Sequence, residues 1–275
     1  MQIDNILRST RKILPLTHAI TNYVTVNDCA NIILSAGGSP IMADDIHEVS
    51  DITKICHSLV INMGTLNENT IEAMVAAGVA ANEVNHPVIL DPVAVGASDY
   101  RNKCAKLLIE KVKFAVIRGN ISEIKALALG SGNTSGVDAS TEDIVTEENL
   151  DTVVEFCKKL SRDTNSVIAV SGKYDIIADN DRSCVVTNGV EEMTKITGSG
   201  CMLTSVIGTF CGANPQNPFE AAVAAICALG LCGEMAKKRM SEDKRGLSSF
   251  RMHMIDSMST LDEKFLLKGA KYDIR

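Results

Sequence analysis

Ser58-Leu59-Val60-Ile61-Asn62 is a continuous apolar run closed by a polar residue, and the pattern returns in Pro87-Val88-Ile89-Leu90-Asp91 and Phe114-Ala115-Val116-Ile117-Arg118. Runs without alternation suit strands that are buried on both faces. Between them, residues 68–83 and 102–112 carry amphipathic helical patterns. Strands alternating with helices predict a parallel sheet covered by helices. Ligands of such sheets gather at the carboxyl ends of the strands. Asn62-Met63-Gly64-Thr65, Asp91-Pro92 and Arg118-Gly119-Asn120 are therefore expected to converge on one rim.

Upstream, Ile3, Ile6, Leu7, Ile13 and Leu14 recur at near-helical spacing until Pro15, which predicts a first helix over 2–14. Residues 17–25, Thr-His-Ala-Ile-Thr-Asn-Tyr-Val-Thr, read as a polar, β-branched loop ahead of a helix over 27–36. His18 and Asn22 in that loop either orient a ligand or serve as cap and satisfied loop histidine. Gly37-Gly38-Ser39-Pro40-Ile41-Met42-Ala43 reads as a turn and short strand, and 49–56 as a helix.

Downstream, a helix runs over 123–129, and the polar stretch 130–136 reads as a surface loop or a lid. A helix over 147–160, a buried strand over 167–171, and a hairpin of 175–178 and 182–187 follow. Antiparallel edge strands beside a parallel sheet fit an α/β sandwich. Helices are expected over 201–211, 218–238 and 247–264. No repeat or linker divides the chain, so residues 1–275 are expected to form a single domain.

Composition narrows the partners. Hydrophobic residues make up 45% and aromatic residues 4%, without tryptophan, so the core must be built from Ala, Val, Ile, Leu and Met. The net charge of −7 comes from intermixed acids and bases, which argues against nucleic acid or an anionic membrane as partner. The nine cysteines include no CxxC spacing, so neither a disulfide framework nor a zinc site is suggested, and a reducing cytoplasm is expected. The amino terminus lacks a signal-peptide apolar core. Residues 218–238, Ala-rich and interrupted by Gly and Glu, read as a core helix and not a membrane span.

The chemistry concentrates in Thr197-Gly198-Ser199-Gly200-Cys201, which opens the apolar run over 202–207. Two glycines one residue apart permit a sharp turn, and a helix start aims unpaired N–H groups and the positive end of the macrodipole at a ligand. The stretch reads either as a phosphate cradle, with Cys201 in a field that favours thiolate, or as a Gly-rich turn entering a core helix. Asp91 ends a strand and Glu123 begins a helix on the same rim. Hard oxygen ligands there suit Mg2+; either residue alone is usually only a cap, and it is their conjunction with the glycine stretch that favours the metal.

These segments, together with Ile20-Thr21-Asn22-Tyr23-Val24-Thr25, Gly38-Ser39-Pro40-Ile41-Met42-Ala43, Leu90-Asp91-Pro92-Val93-Ala94-Val95-Gly96-Ala97 and Arg118-Gly119-Asn120-Ile121-Ser122-Glu123-Ile124, resemble the ordered signature blocks of the hydroxyethylthiazole kinase family. The resemblance spans residues 17–210. It implies a ribokinase-like, three-layer α/β/α sandwich with a mostly parallel central sheet. The implied reaction is transfer of the ATP γ-phosphoryl group to the primary alcohol of hydroxyethylthiazole, a salvage step toward thiamine diphosphate. By the same resemblance, Met42, Gly198 and Asn22 lie on the acceptor substrate. Arg118, Ser171 and Gly200 lie on ATP, with Ser171 standing where many relatives carry Thr. Asp91 and Glu123 are linked to Mg2+, and Cys201 is the catalytic proton acceptor at a position where related sugar kinases carry Asp. A homotrimer with active sites at subunit interfaces is also implied. The alternatives are another small-alcohol kinase of the same fold, such as a hydroxymethylpyrimidine or pyridoxal kinase, a hydrolase or transferase using Cys201 as nucleophile with a histidine partner, and a silent ligand-binding protein on the kinase scaffold.

Overall fold

In the computed structural model, which describes residues 2–130 and 144–275, the strands are β1 (Leu16–Ile20), β2 (Ser39–Ile41), β3 (Ser58–Asn62), β4 (Val88–Asp91), β5 (Val116–Asn120), β6 (Val167–Ser171), β7 (Asp175–Ala178), β8 (Ser183–Val186) and β9 (Tyr272–Ile274). They form one sheet in the order β2-β1-β3-β4-β5-β6-β7-β8-β9. Every pair from β2 through β6 is parallel. The last three strands are antiparallel additions, so the start of β7 and the end of β8 lie at the same edge as the carboxyl ends of the parallel strands.

The helices are α1 (Ile3–Ile13), α2 (Val26–Ala36), α3 (Val49–Ile55), α4 (Glu68–Glu83), α5 (Asp99–Lys111), α6 (Ile121–Gly130), α7 (Leu150–Thr164), α8 (Ser199–Ala213), α9 (Pro218–Glu242), α10 (Leu247–Thr260) and α11 (Glu263–Gly269). Strand residues alternate between two helical layers. Leu59, Ile61, Leu90, Ile117 and Ile168 pack with residues of α4 to α7. Val60, Ile89, Val116, Val167 and Ala169 pack with residues of α1, α2, α8, α9 and α10. Both strand faces being apolar is what the unbroken runs require, and the result is the three-layer α/β/α sandwich. By length and composition α9 could cross a membrane, but 83% of its apolar window is buried within the fold.

Three segments differ from the sequence reading. Residues 17–20, expected within a loop, form most of β1, an interior strand between β2 and β3. Its polar side chains hid it, because each has an internal partner: His18 Nδ1 bonds Thr53 Oγ1 and Nε2 bonds the Ala43 carbonyl, both at 2.8 Å. The single helix expected over 247–264 is two, α10 and α11. The break falls at Leu261–Asp262, where Asp262 Oδ1 caps α11 by accepting from Phe265 N at 2.7 Å. The short edge strand β9, not anticipated, pairs with β8. Of the expected 130–136 loop, residues 131–136 lie outside the described residues.

Candidate active site

Strand order sets the order of side chains along the carboxyl edge. Met42 follows β2, Asn22 follows β1, Asn62 closes β3, Asp91 closes β4, Arg118 lies in β5, Ser171 closes β6 and Asp175 opens β7. The start of α8 lies against the middle of this row. Its first intrahelical bond runs from Met202 N to the Gly198 carbonyl at 2.8 Å, so the amides of Ser199, Gly200 and Cys201 stand ahead of the helical ladder.

Contacts along α8 tie the row together. Gly198, at φ +85°, has no room for a Cβ, which would lie 2.6 Å from Thr25 Cγ2. Gly200 faces Arg118, whose Nη1 would be 2.5 Å from an added Cβ. Cys201 Sγ accepts from Asn22 Nδ2 at 3.3 Å and from Asn62 Nδ2 at 3.2 Å. Thr204, one turn on, donates to Asp91 Oδ2 at 2.8 Å.

Asn22, Asn62, Asp91 and Arg118 are all buried. Burying so many polar groups is costly unless they are paired, and here they pair with one another. Asp91 Oδ2 also accepts from Asn62 Nδ2 at 2.9 Å and lies 3.6 Å from Arg118 Nη1. Burial pushes the Asp91 carboxyl up, the Arg118 charge opposes that rise, Glu123 adds to it, and the Thr204 and Asn62 bonds oppose it. Arg118 donates through Nη2 to Ser171 Oγ. Within this row, the buried Asp91 Oδ1 and Arg118 Nε have no hydrogen-bond partner among the described residues.

Glu123 forms a capping box with Asn120. Its N–H donates to Asn120 Oδ1, its Oε2 accepts from Asn120 N, and its Oε1 accepts from Ala94 N in the loop after β4, each at 2.9 Å. Its cap role is therefore real, and one lone pair on each oxygen is left over. Among the described residues, no group of three or more side chains forms a ready-made metal cage. The donor set still fits Mg2+, which takes one or two carboxylates and keeps waters: the unpartnered Asp91 Oδ1 and the remaining Glu123 lone pairs are hard oxygens.

On the Arg118 side the row opens into a cleft of about 500 Å³ lined by Ser171, Asp175, Asn188, Met193, Leu203 and Leu229 among others. Met42, at the opposite end, is partly buried against the core. His18 makes no ligand contact possible through its ring nitrogens, both of which are occupied, and burial lowers its pKa. No histidine bonds Cys201 among the described residues, so the imidazole partner needed by a cysteine nucleophile is missing.

Three participants escaped the sequence reading. The polar end of the β3 run marked Asn62 without giving it a task, and Thr204 carried only its spacing from Cys201. Arg101 gave no signal; from α5 its guanidinium donates to the carbonyls of Met63, Gly64 and Val93, clamping the loops after β3 and β4 together.

Residues 7–264 match the Hydroxyethylthiazole kinase family. The hydroxyethylthiazole kinase of Clostridium acetobutylicum is 55% identical over 267 residues, covering 97% of each chain. A hydroxyethylthiazole kinase structure from Pyrococcus horikoshii superimposes with a TM-score of 0.87 at 30% identity, over 99% of this chain and 98% of that one. The ADP/ATP-dependent NAD(P)H-hydrate dehydratase of Bacillus subtilis, crystallised with ATP and Mg2+, shares the fold at a TM-score of 0.58 and 14% identity, over 93% of this chain and 91% of that one.

Proposed function

The chain belongs to the hydroxyethylthiazole kinase family, and from that premise we propose how its rim divides the work of the reaction. The fold is ribokinase-like, and the activity is phosphorylation of the hydroxyethylthiazole alcohol by ATP in thiamine salvage.

The observation that carries the assignment is the position of Cys201, whose Sγ bonds Asn22 at one end of the rim while the preceding Ser199 and Gly200 line the cleft beyond Arg118. The acceptor alcohol binds at the first end, against Met42, Asn22 and Gly198. ATP binds in the cleft, with its phosphates on Arg118, Ser171 and the amide of Gly200. The amides of Ser199, Gly200 and Cys201 and the Arg118 guanidinium meet the charge that develops on the transferred group. Cys201 Sγ, as thiolate, accepts the hydroxyl proton as the bond from the acceptor oxygen to the γ-phosphorus forms and the bond from that phosphorus to the β,γ-bridging oxygen breaks, releasing ADP. General-base help of this kind contributes about 10²- to 10⁴-fold. Asp91 and Glu123 would hold Mg2+, which would supply neutralisation of the phosphate charge. Nine free thiols support a reducing cytoplasm as the location. Tyr23 and Val24, exposed beside Asn22, support a homotrimer whose interfaces border the site.

The test is ATP turnover with each candidate alcohol, with and without Mg2+. Turnover is expected with hydroxyethylthiazole and Mg2+, and equal turnover of hydroxymethylpyrimidine would favour the other kinase. Cys201→Ala should slow the reaction without abolishing it, and Cys201→Asp should remain a working kinase. A Cys201→Asp protein that folds and binds ATP but is inert would overturn the proton-acceptor role.

A further inference from the structure

Asn62 is 2% exposed, and all four hydrogen-bonding positions of its side chain are occupied. Its Oδ1 accepts from Gly64 N and from Asn22 Nδ2, both at 2.9 Å. Its Nδ2 donates to Asp91 Oδ2 at 2.9 Å and to Cys201 Sγ at 3.2 Å. A backbone N–H can only donate, so Gly64 fixes which end of the amide is oxygen, and both amide hydrogens must point at Asp91 and Cys201. Asn22 is fixed in the same way, because its Oδ1 accepts from Thr25 N and Thr25 Oγ1, both at 3.1 Å. Its Nδ2 is left for Asn62 Oδ1 and Cys201 Sγ. An asparagine serving β3 alone would have no reason to divide its two hydrogens between a carboxylate and a thiol from separate elements.

We infer that Asn62 is a positioning residue for phosphoryl transfer, holding Cys201 Sγ as a hydrogen-bond acceptor at a fixed separation from the Asp91 carboxylate. The inference rests on Cys201 being the proton acceptor and assigns the residue that sets its orientation.

A double-mutant cycle on the full-length enzyme tests it, using Asn62→Ala, Cys201→Ala and the double variant, with kcat, both KM values and thermal melting read for each. Asn62→Ala is expected to lower kcat by at least about tenfold, within the range for a positioned proton acceptor, with the KM for ATP within about twofold of wild type. In the Cys201→Ala background the same change should cost less than about threefold, because residues acting as a unit do not add. Asn62→Asp preserves shape and the acceptor for Gly64, can share a proton with Asp91, and has no donor left for Cys201 Sγ. It should be as slow as Asn62→Ala, and it decides the matter in both backgrounds if the alanine variant does not fold. Losses that multiply fully, a loss confined to KM, or wild-type kcat in Asn62→Asp would overturn the inference. If Cys201→Ala alone leaves kcat unchanged, the proton-acceptor reading fails first; if it is slow while the Asn62 loss multiplies, only the role of Asn62 falls.

Discussion

Asp175 shows how a single residue tunes this rim. It opens β7 and lines the cleft, and its Oδ1 accepts from Gly172 N at 2.9 Å. Burial pushes its carboxyl up to about 7, with the Gly172 amide and the Arg118 charge pulling the other way. The folded value lies above the ordinary value of 3.8, so folding favours the protonated form. The stabilisation this gives is complete below about pH 4 and is lost as the pH rises through about 7. Asp175→Asn keeps an acceptor for Gly172 and carries no charge at any pH. The variant should match wild type near pH 4 and exceed its stability by about 2 kcal/mol at pH 8, roughly half the full linkage energy because the side chain is partly exposed. Denaturant melts at the two values measure this directly. A stability difference that is the same at both would show that Asp175 does not titrate in this interval.

At the scale of elements, the start of α8 carries two glycines with separate tasks. Gly198 is needed for its backbone: φ is +85°, and a Cβ would strike Thr25, which Asn22 holds. Gly200 is helical, and only its missing Cβ matters, since that leaves space for the Arg118 guanidinium. Gly198→Ala should therefore cost at least about 1–2 kcal/mol of stability from the left-handed conformation. Gly200→Ala should melt close to wild type, helped by a better helix former, while raising the KM for ATP about tenfold by displacing Arg118. Equal melting losses with unchanged KM values would refute the division. The glycines were legible as a turn at a helix start, just as Ser58–Asn62 and Val167–Ser171 were legible as unbroken apolar runs and Glu68–Glu83 from its helical periodicity. The rim followed, because strand ends in a parallel sheet must share an edge. β1 was not legible, because Thr17 and His18 are satisfied by Thr209 and by Thr53 and Ala43, distant in sequence. Nor was the Asn62–Asp91–Cys201 connection, which joins three elements 29 and 139 residues apart.

At the scale of the whole molecule, the strand order leaves the proposed acceptor end of the rim at one margin of the sheet, where β2 is the edge strand. In the loop after β1, two large apolar side chains face outward: Tyr23 is 79% exposed and Val24 58%. Tyr23 and Val24 sit between Asn22, whose Nδ2 bonds Cys201, and Thr25, whose N–H and hydroxyl bond Asn22 Oδ1. The loop is thus anchored at both ends by catalytic-site contacts while its tip offers apolar surface to a neighbour. If a neighbouring subunit covers that tip in the proposed homotrimer, assembly and catalysis are coupled through Asn22. Tyr23→Asp places a charge on the covered surface, where its desolvation would weaken association, yet it removes no group that bonds Cys201. Sedimentation velocity should show wild type as a trimer and the variant shifted to lower mass. Turnover per site should fall about tenfold in the variant and recover as protein concentration is raised, since concentration drives reassembly. A fully active monomeric wild type, or a Tyr23→Asp protein that stays trimeric with wild-type turnover, would separate assembly from this loop.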